Sequence, residues 1–192
     1  TQEELEAMKD RMDDAQWHLR DLRDKHLPVD EITAYNHMAI YLRWCMEHDL
    51  MSVEFMERYW EQVQPFMADL SRADLRGFIR DQLKGQLFGA LFNKEGAAFA
   101  GYYYGEADSP YFPSDIDNYG SEQYYSDKFQ DEAYLFIPFD ENYYQAMAKV
   151  MEKRFANWQG QSFDEATLEP SDLAEAMMEY LDCECTYFPS MT

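Results

Sequence analysis

The sequence predicts a mainly α protein, a single-domain irregular helical bundle over residues 1–192 with at most a short strand or hairpin. Three observations carry this. Apolar residues recur at helical spacing in several separate segments. Residues suited to N-capping (Asp30, Ser52, Asn93, Asp140) stand where those segments begin. One short apolar run, and no more, reads as a strand.

The first strong segment is Ala34–Asp49. Tyr35, Met38, Leu42, Cys45 and Met46 form one stripe and His37, Tyr41, Trp44 and His48 a second, so little of this helix is left for water and it is expected at the centre. Pro28 and Asp30 precede it as stop and cap signals. A second helix starts at Ser52, turns Phe55, Met56, Tyr59, Trp60 and Val63 inward, and ends at Pro65. Ser71 and Asp74 have capping-box spacing before a third helix carrying Leu75, Phe78, Ile79 and Leu83. Asn93 then caps a short helix packed through Phe99, Tyr102 and Tyr103. From about residue 105 to 131 the chain interleaves Pro, Gly and Ser with Tyr and acidic residues and shows no period, so a long functional loop is expected. The strand candidate is Ala133–Phe139, kept from a central position by Pro138. Asp140 opens an amphipathic helix through Tyr143, Tyr144, Met147, Val150, Met151, Phe155 and Trp158 to Gly160. A last acidic helix is expected at about residues 171–182. Neither an internal repeat nor a dividing linker is visible.

Charge constrains function. The 192 residues hold 38 acidic and 16 basic side chains, a net charge of −22, with residues 97–192 contributing −15. Such a field repels nucleic-acid backbones and anionic lipid, whereas a basic protein partner would be steered toward it. An aromatic content of 17% excludes a chain that stays solvated. Three cysteines, with Cys183 and Cys185 one residue apart, suit a reducing compartment. The polar start TQEELEAMKD lacks the form of a signal peptide, and no apolar stretch approaches the ~20 residues that cross a bilayer. Cytoplasmic localisation is expected.

Catalytic motifs are absent: there is no G-x-S-x-G, P-loop or G-x-G-x-x-G. The sharpest cluster is Asp13, Asp14, Trp17 and His18, with His26 and His37 further on. One carboxylate with two imidazoles would suit a metal triad, read as Asp14, His18 and His37. The alternative is that His18 and His37 are packed, hydrogen-bonded residues beside Trp17 and Trp44. No cofactor is expected. The aromatic, acidic stretch offers instead a partner surface of Tyr111, Asp115, Asp117, Tyr119, Tyr124 and Tyr125, combining rings with carboxylates.

The runs MDDAQWH, AYNHMAIYLRWCMEHDLMS, LFNKEGAAFAGYYYG and DIDNYG resemble a family of uncharacterised bacterial proteins. Its members carry a D-D-A-x-W-H start, a T-H-I-G-M-F-like helix ending in W-C and G-L, and an L-N-x-E-G-N-A-F-A-x-x-Y-Y segment. The resemblance covers about residues 12–125. Asn36 and Ala39 depart from the family's Thr and Gly, and the tail after Gly160 has no counterpart in it. The resemblance implies a helical fold and no defined chemistry. In size and acidity the chain also resembles immunity proteins of bacterial toxin systems. The leading expectation is therefore an acidic protein-binding domain that neutralises a cognate toxin and is not an enzyme. The alternative is a metal-dependent enzyme built on the Asp/His cluster.

Overall fold

The computed structural model describes Gln2, residues 10–105 and residues 111–167, with side chains to residue 160. Contacts divide the chain into a unit of residues 1–154 and a unit of residues 155–192. The candidate site lies in the first.

That unit begins with strand β1 (Arg11–Asp14), which runs directly into helix α1 (Ala15–Asp24). β1 pairs antiparallel with β2 (Gln86–Phe88), Arg11 opposite Phe88, Asp13 opposite Leu87 and Asp14 opposite Gln86. Met12 is thus the extra residue of a bulge. A bulge breaks the alternation of faces, and here the consecutive residues Asp13 and Asp14 are both buried. Gly85, at φ +77°, precedes β2 and accepts the Ala15 N–H at 2.8 Å, tying the two segments together where a side chain would be strained.

Asp30 caps a 3₁₀ turn (Glu31–Tyr35) by accepting from Ile32 N–H at 2.9 Å. The turn leads into α2 (Asn36–Glu47), where both expected stripes are buried: Met38, Leu42, Cys45 and Met46 on one, His37, Tyr41 and Trp44 on the other. Helix α3 (Val53–Val63) is capped by Ser52, as its sequence predicts, and buries Phe55, Tyr59 and Val63. Trp60, expected inward, is instead 47% exposed beside Val53, at 68%. The cap of α4 (Leu75–Asp81) is Asp74, accepting from Arg76 N–H. Ser71 is bound up in its own short turn with Asp69, so the capping-box reading fails. Asn93 caps α5 (Lys94–Tyr103).

Two expectations are corrected after residue 105. The predicted loop at 105–131 contains α6 (Phe112–Gln123), started by Pro113 in its first turn and holding a narrow buried stripe of Phe112, Ile116 and Gly120. Residues 106–110 lie outside the described residues. The predicted strand Ala133–Phe139 is mostly a 3₁₀ helix (Gln130–Phe136), with Leu135 packed on Leu22 and Leu27 of the α1 region. A continuous apolar run of this length is compatible with either geometry, and here α6 lies alongside where a strand would need a ladder partner. Asp140 starts α7 (Glu141–Thr167), accepting from Tyr143 N–H at 2.9 Å, with Tyr143, Tyr144, Met147 and Met151 buried. Gly160 does not end the helix, which continues past it. The acidic helix expected at 171–182 lies outside the described residues.

The centre of the unit is aromatic. Tyr41 meets Tyr104 at 4.8 Å and Phe112 at 5.1 Å between ring centroids, and Trp44 stacks on His48 at 4.1 Å. Cys45 is a buried free thiol whose pKa burial raises strongly, so it is inert as a nucleophile. Among the described residues no helix is long and apolar enough to cross a membrane.

Candidate functional site

Asp13 ends β1 beside the bulge, and its carboxylate gathers groups from across the chain. His37, from the first turn of α2, brings Nε2 to 2.9 Å from Oδ2. His18, one turn into α1, brings Nε2 to 3.0 Å from Oδ1. Tyr104, just past α5, donates its hydroxyl to Oδ2, and the Asp14 backbone N–H donates to Oδ1 at 2.8 Å. A carboxylate only accepts, so each imidazole presents an Nε2–H to it. The other ring nitrogen of His18, Nδ1, is 2.7 Å from Tyr134 Oη of the 3₁₀ helix. The two imidazoles meet edge to face, 4.4 Å between centroids, and Tyr134 lies edge-on to both.

Burial alone would raise the Asp13 carboxyl. The adjacent His37 and His18, by charge and hydrogen bonding, outweigh it and hold Asp13 far below the usual carboxylate range. Burial, with His18 nearby, lowers the pKa of His37 and keeps it neutral. Its Nδ1 is buried and has no hydrogen-bond partner among the described residues.

These groups form the floor of a cavity of about 260 Å³ whose walls include Trp17, Tyr111 and Tyr134. Asp21, Asp117 and Asp131 stand exposed around its rim. No Lys or Arg is among the described residues that line it. Loss of hydration at the cavity mouth raises the Asp117 pKa, His18 opposes this, and the like charge of Asp131 adds to the rise. Trp17, 43% exposed, lies under the Arg11 guanidinium at 5.4 Å.

The candidate metal set is corrected by one residue. Asp13, His18 and His37 have donor atoms within 4.8 Å of one another. Asp14 is committed elsewhere: one oxygen caps α1 through Gln16 N–H at 2.9 Å, and the other pairs with Arg11 at 2.9 Å. His26 is exposed, at the C-terminal end of α1. Of the packed-histidine alternative, His37 is buried and His18 only half-buried, both are hydrogen-bonded, and the rings rest on each other and on Tyr134, while His48 is the one that stacks on Trp44.

The six predicted partner residues do not form one patch. Tyr111 and Asp117 reach the cavity. Asp115 turns inward, holding Arg154 through two bonds of 2.9 and 3.0 Å and accepting from Tyr103 Oη. Tyr119 stacks on Tyr143 at 5.1 Å and Tyr124 on Phe136 at 4.5 Å. Tyr125 is 79% exposed and donates to Asp127. Sequence reasoning passed over Tyr104, Tyr134, Asp21 and Asp131 as site residues. Tyr104 stands in the conspicuous GYYYG run, whereas Tyr134 carried no signal beyond an apolar run.

The model of a domain of unknown function, DUF7832, matches residues 11–158. The chain belongs to this family. The matched stretch of the DUF7832 domain contains every residue of the cavity. No curated protein and no solved structure matches the chain.

Proposed function

We propose that this DUF7832 chain is a protein-binding domain that receives a cationic side chain of a basic partner in the Asp13 cavity, and that neutralising a cognate bacterial toxin is its biological task. The observation that carries the reading is the make-up of the cavity: rim carboxylates at Asp21, Asp117 and Asp131, aromatic walls at Trp17, Tyr111 and Tyr134, and no lining base among the described residues. Carboxylates pair with guanidinium or ammonium groups, and ring faces add cation–π attraction. The net charge of −22 speeds the encounter over distances up to the screening length.

The test uses the chain as bait in a lysate of its source bacterium, beside a variant with Asp21→Asn, Asp117→Asn and Asp131→Asn. A basic protein held by the wild type and released by the variant is expected, with an association rate that falls as salt rises. Co-expression should then relieve that partner's toxicity. Equal retention by both baits, or a partner without excess positive charge, overturns the reading.

A further inference from the structure

We propose that Asp13, His18 and His37 form a binding site for a divalent transition metal of the zinc class, at the floor of the cavity and independent of whatever binds its rim. Three donors arrive from three separate segments, β1, α1 and α2, and both imidazole Nε2 atoms stand within 3.0 Å of the same carboxylate. The two imidazoles reach different oxygens of that carboxylate, and one donor atom from each of the three residues lies within 4.8 Å of the others, so small side-chain rotations bring all three to the roughly 2.0–2.2 Å that one ion requires. Two imidazoles with one carboxylate are a borderline donor set that takes zinc, iron, cobalt or manganese in preference to calcium or magnesium.

The surroundings support the same assignment. A metal-bound imidazole donates its remaining N–H to an outer partner that fixes the ring, and of the two imidazoles His18 has such a partner while His37 Nδ1 has none among the described residues. Once its Nε2 holds a metal, His18 carries its proton on Nδ1, and Tyr134 Oη stands 2.7 Å away to accept it. The carboxylate is oriented in turn by Tyr104 Oη and the Asp14 N–H. Burial closes the floor on the protein side, while His18 remains partly exposed to the cavity, giving an ion a path inward. Three protein donors leave further positions for water or a ligand, as at catalytic rather than purely structural zinc sites.

The experiment uses the full chain, stripped with a chelator and titrated with Zn(II) and, for its visible spectrum, with Co(II). The expected result is one equivalent bound per chain and Co(II) absorption bands of nitrogen and oxygen ligation. His18→Ala should weaken binding at least 100-fold, and Tyr134→Phe about 10-fold through the outer partner. His18 is partly exposed, so circular dichroism of its variant will show a native fold. If buried His37→Ala does not fold, His18→Ala and Tyr134→Phe carry the test. Asp14→Asn and His26→Ala should bind as the wild type does, as should the Asp21, Asp117 and Asp131 triple variant, which separates this site from the rim. Binding below one equivalent, or binding unchanged by His18→Ala, overturns the assignment.

Discussion

Gly120 connects helix packing to the site, and replacing it gives a test with a definite sign. A methyl group built there would stand 2.8 Å from the backbone nitrogen of Tyr134, 2.9 Å from its Cα and 3.2 Å from the carbonyl carbon of Ala133. These are backbone atoms and cannot rotate away. Ordinary contact begins near 3.4 Å, so α6 and the 3₁₀ helix must separate by about 0.6 Å. Overpacking of this kind costs roughly 1–3 kcal/mol, against which alanine's helix propensity returns up to about 1. With about 1 kcal/mol returned, a net loss of up to about 2 kcal/mol is expected. If the shift passes to the Tyr134 ring, its 2.7 Å contact with His18 Nδ1 lengthens to roughly 3.3 Å, beyond a normal O–H···N bond. Gly101→Ala is the control, because a methyl there meets nothing within 4 Å, and it should stabilise by about 0.5–1 kcal/mol. Urea unfolding measures both variants, and the nitrogen chemical shifts of His18 report the contact. Equal stabilisation by the two substitutions, with His18 unchanged, would refute the packing argument.

Other perturbations have equally definite outcomes. Asp13→Asn leaves buried donors from His18, His37 and Tyr104 competing for one amide oxygen and should cost about 3–5 kcal/mol in a urea melt. The pH dependence follows from the two shifted groups. His37 has a folded pKa below 6.5, so the unfolded chain gains its proton first and stability falls as pH drops below that value. Asp13 contributes stability that is complete above about 3.8 and lost as pH falls further, and this last loss should be missing from Asp13→Asn. Asp115→Asn should lower stability by about 1–3 kcal/mol, because it disrupts the paired bonds to Arg154, while partner binding at the cavity is retained. Trp44→Ala, at the buried centre of α2, should cost about 3–5 kcal/mol by thermal or urea melt.

The elements legible in the sequence are those whose signal is local. α2 carries two apolar stripes, and α3, α5 and α7 announce themselves through Ser52, Asn93 and Asp140, because a cap and a 3.6-residue period both act within a few residues. α6 was hidden because its buried face is only Phe112, Ile116 and Gly120, with a glycine required by close approach where a large apolar residue would have completed the stripe. The site was half visible. His18 and His37 stand out as residue types, but the choice of Asp13 over Asp14 depends on a bulge in a strand whose partner lies some 70 residues away. That pairing leaves no local trace. Tyr134 depends on the same kind of long-range arrangement, through the packing of its 3₁₀ helix on α6 and α1.

The position of Trp17 gives the cavity an optical reporter. Its indole is part of the cavity wall and 43% exposed, whereas Trp44 is sealed in the core and Trp60, on α3, is not among the residues lining the cavity. A cobalt ion on the floor would quench the nearby indole strongly, and a partner's side chain lying against the ring would move its emission toward the blue. With Trp60 and Trp158 changed to Phe, the remaining signal divides into a buried reference and a site-facing sensor. Occupancy of the floor and of the rim could then be followed separately, in one cuvette, before any partner has been identified.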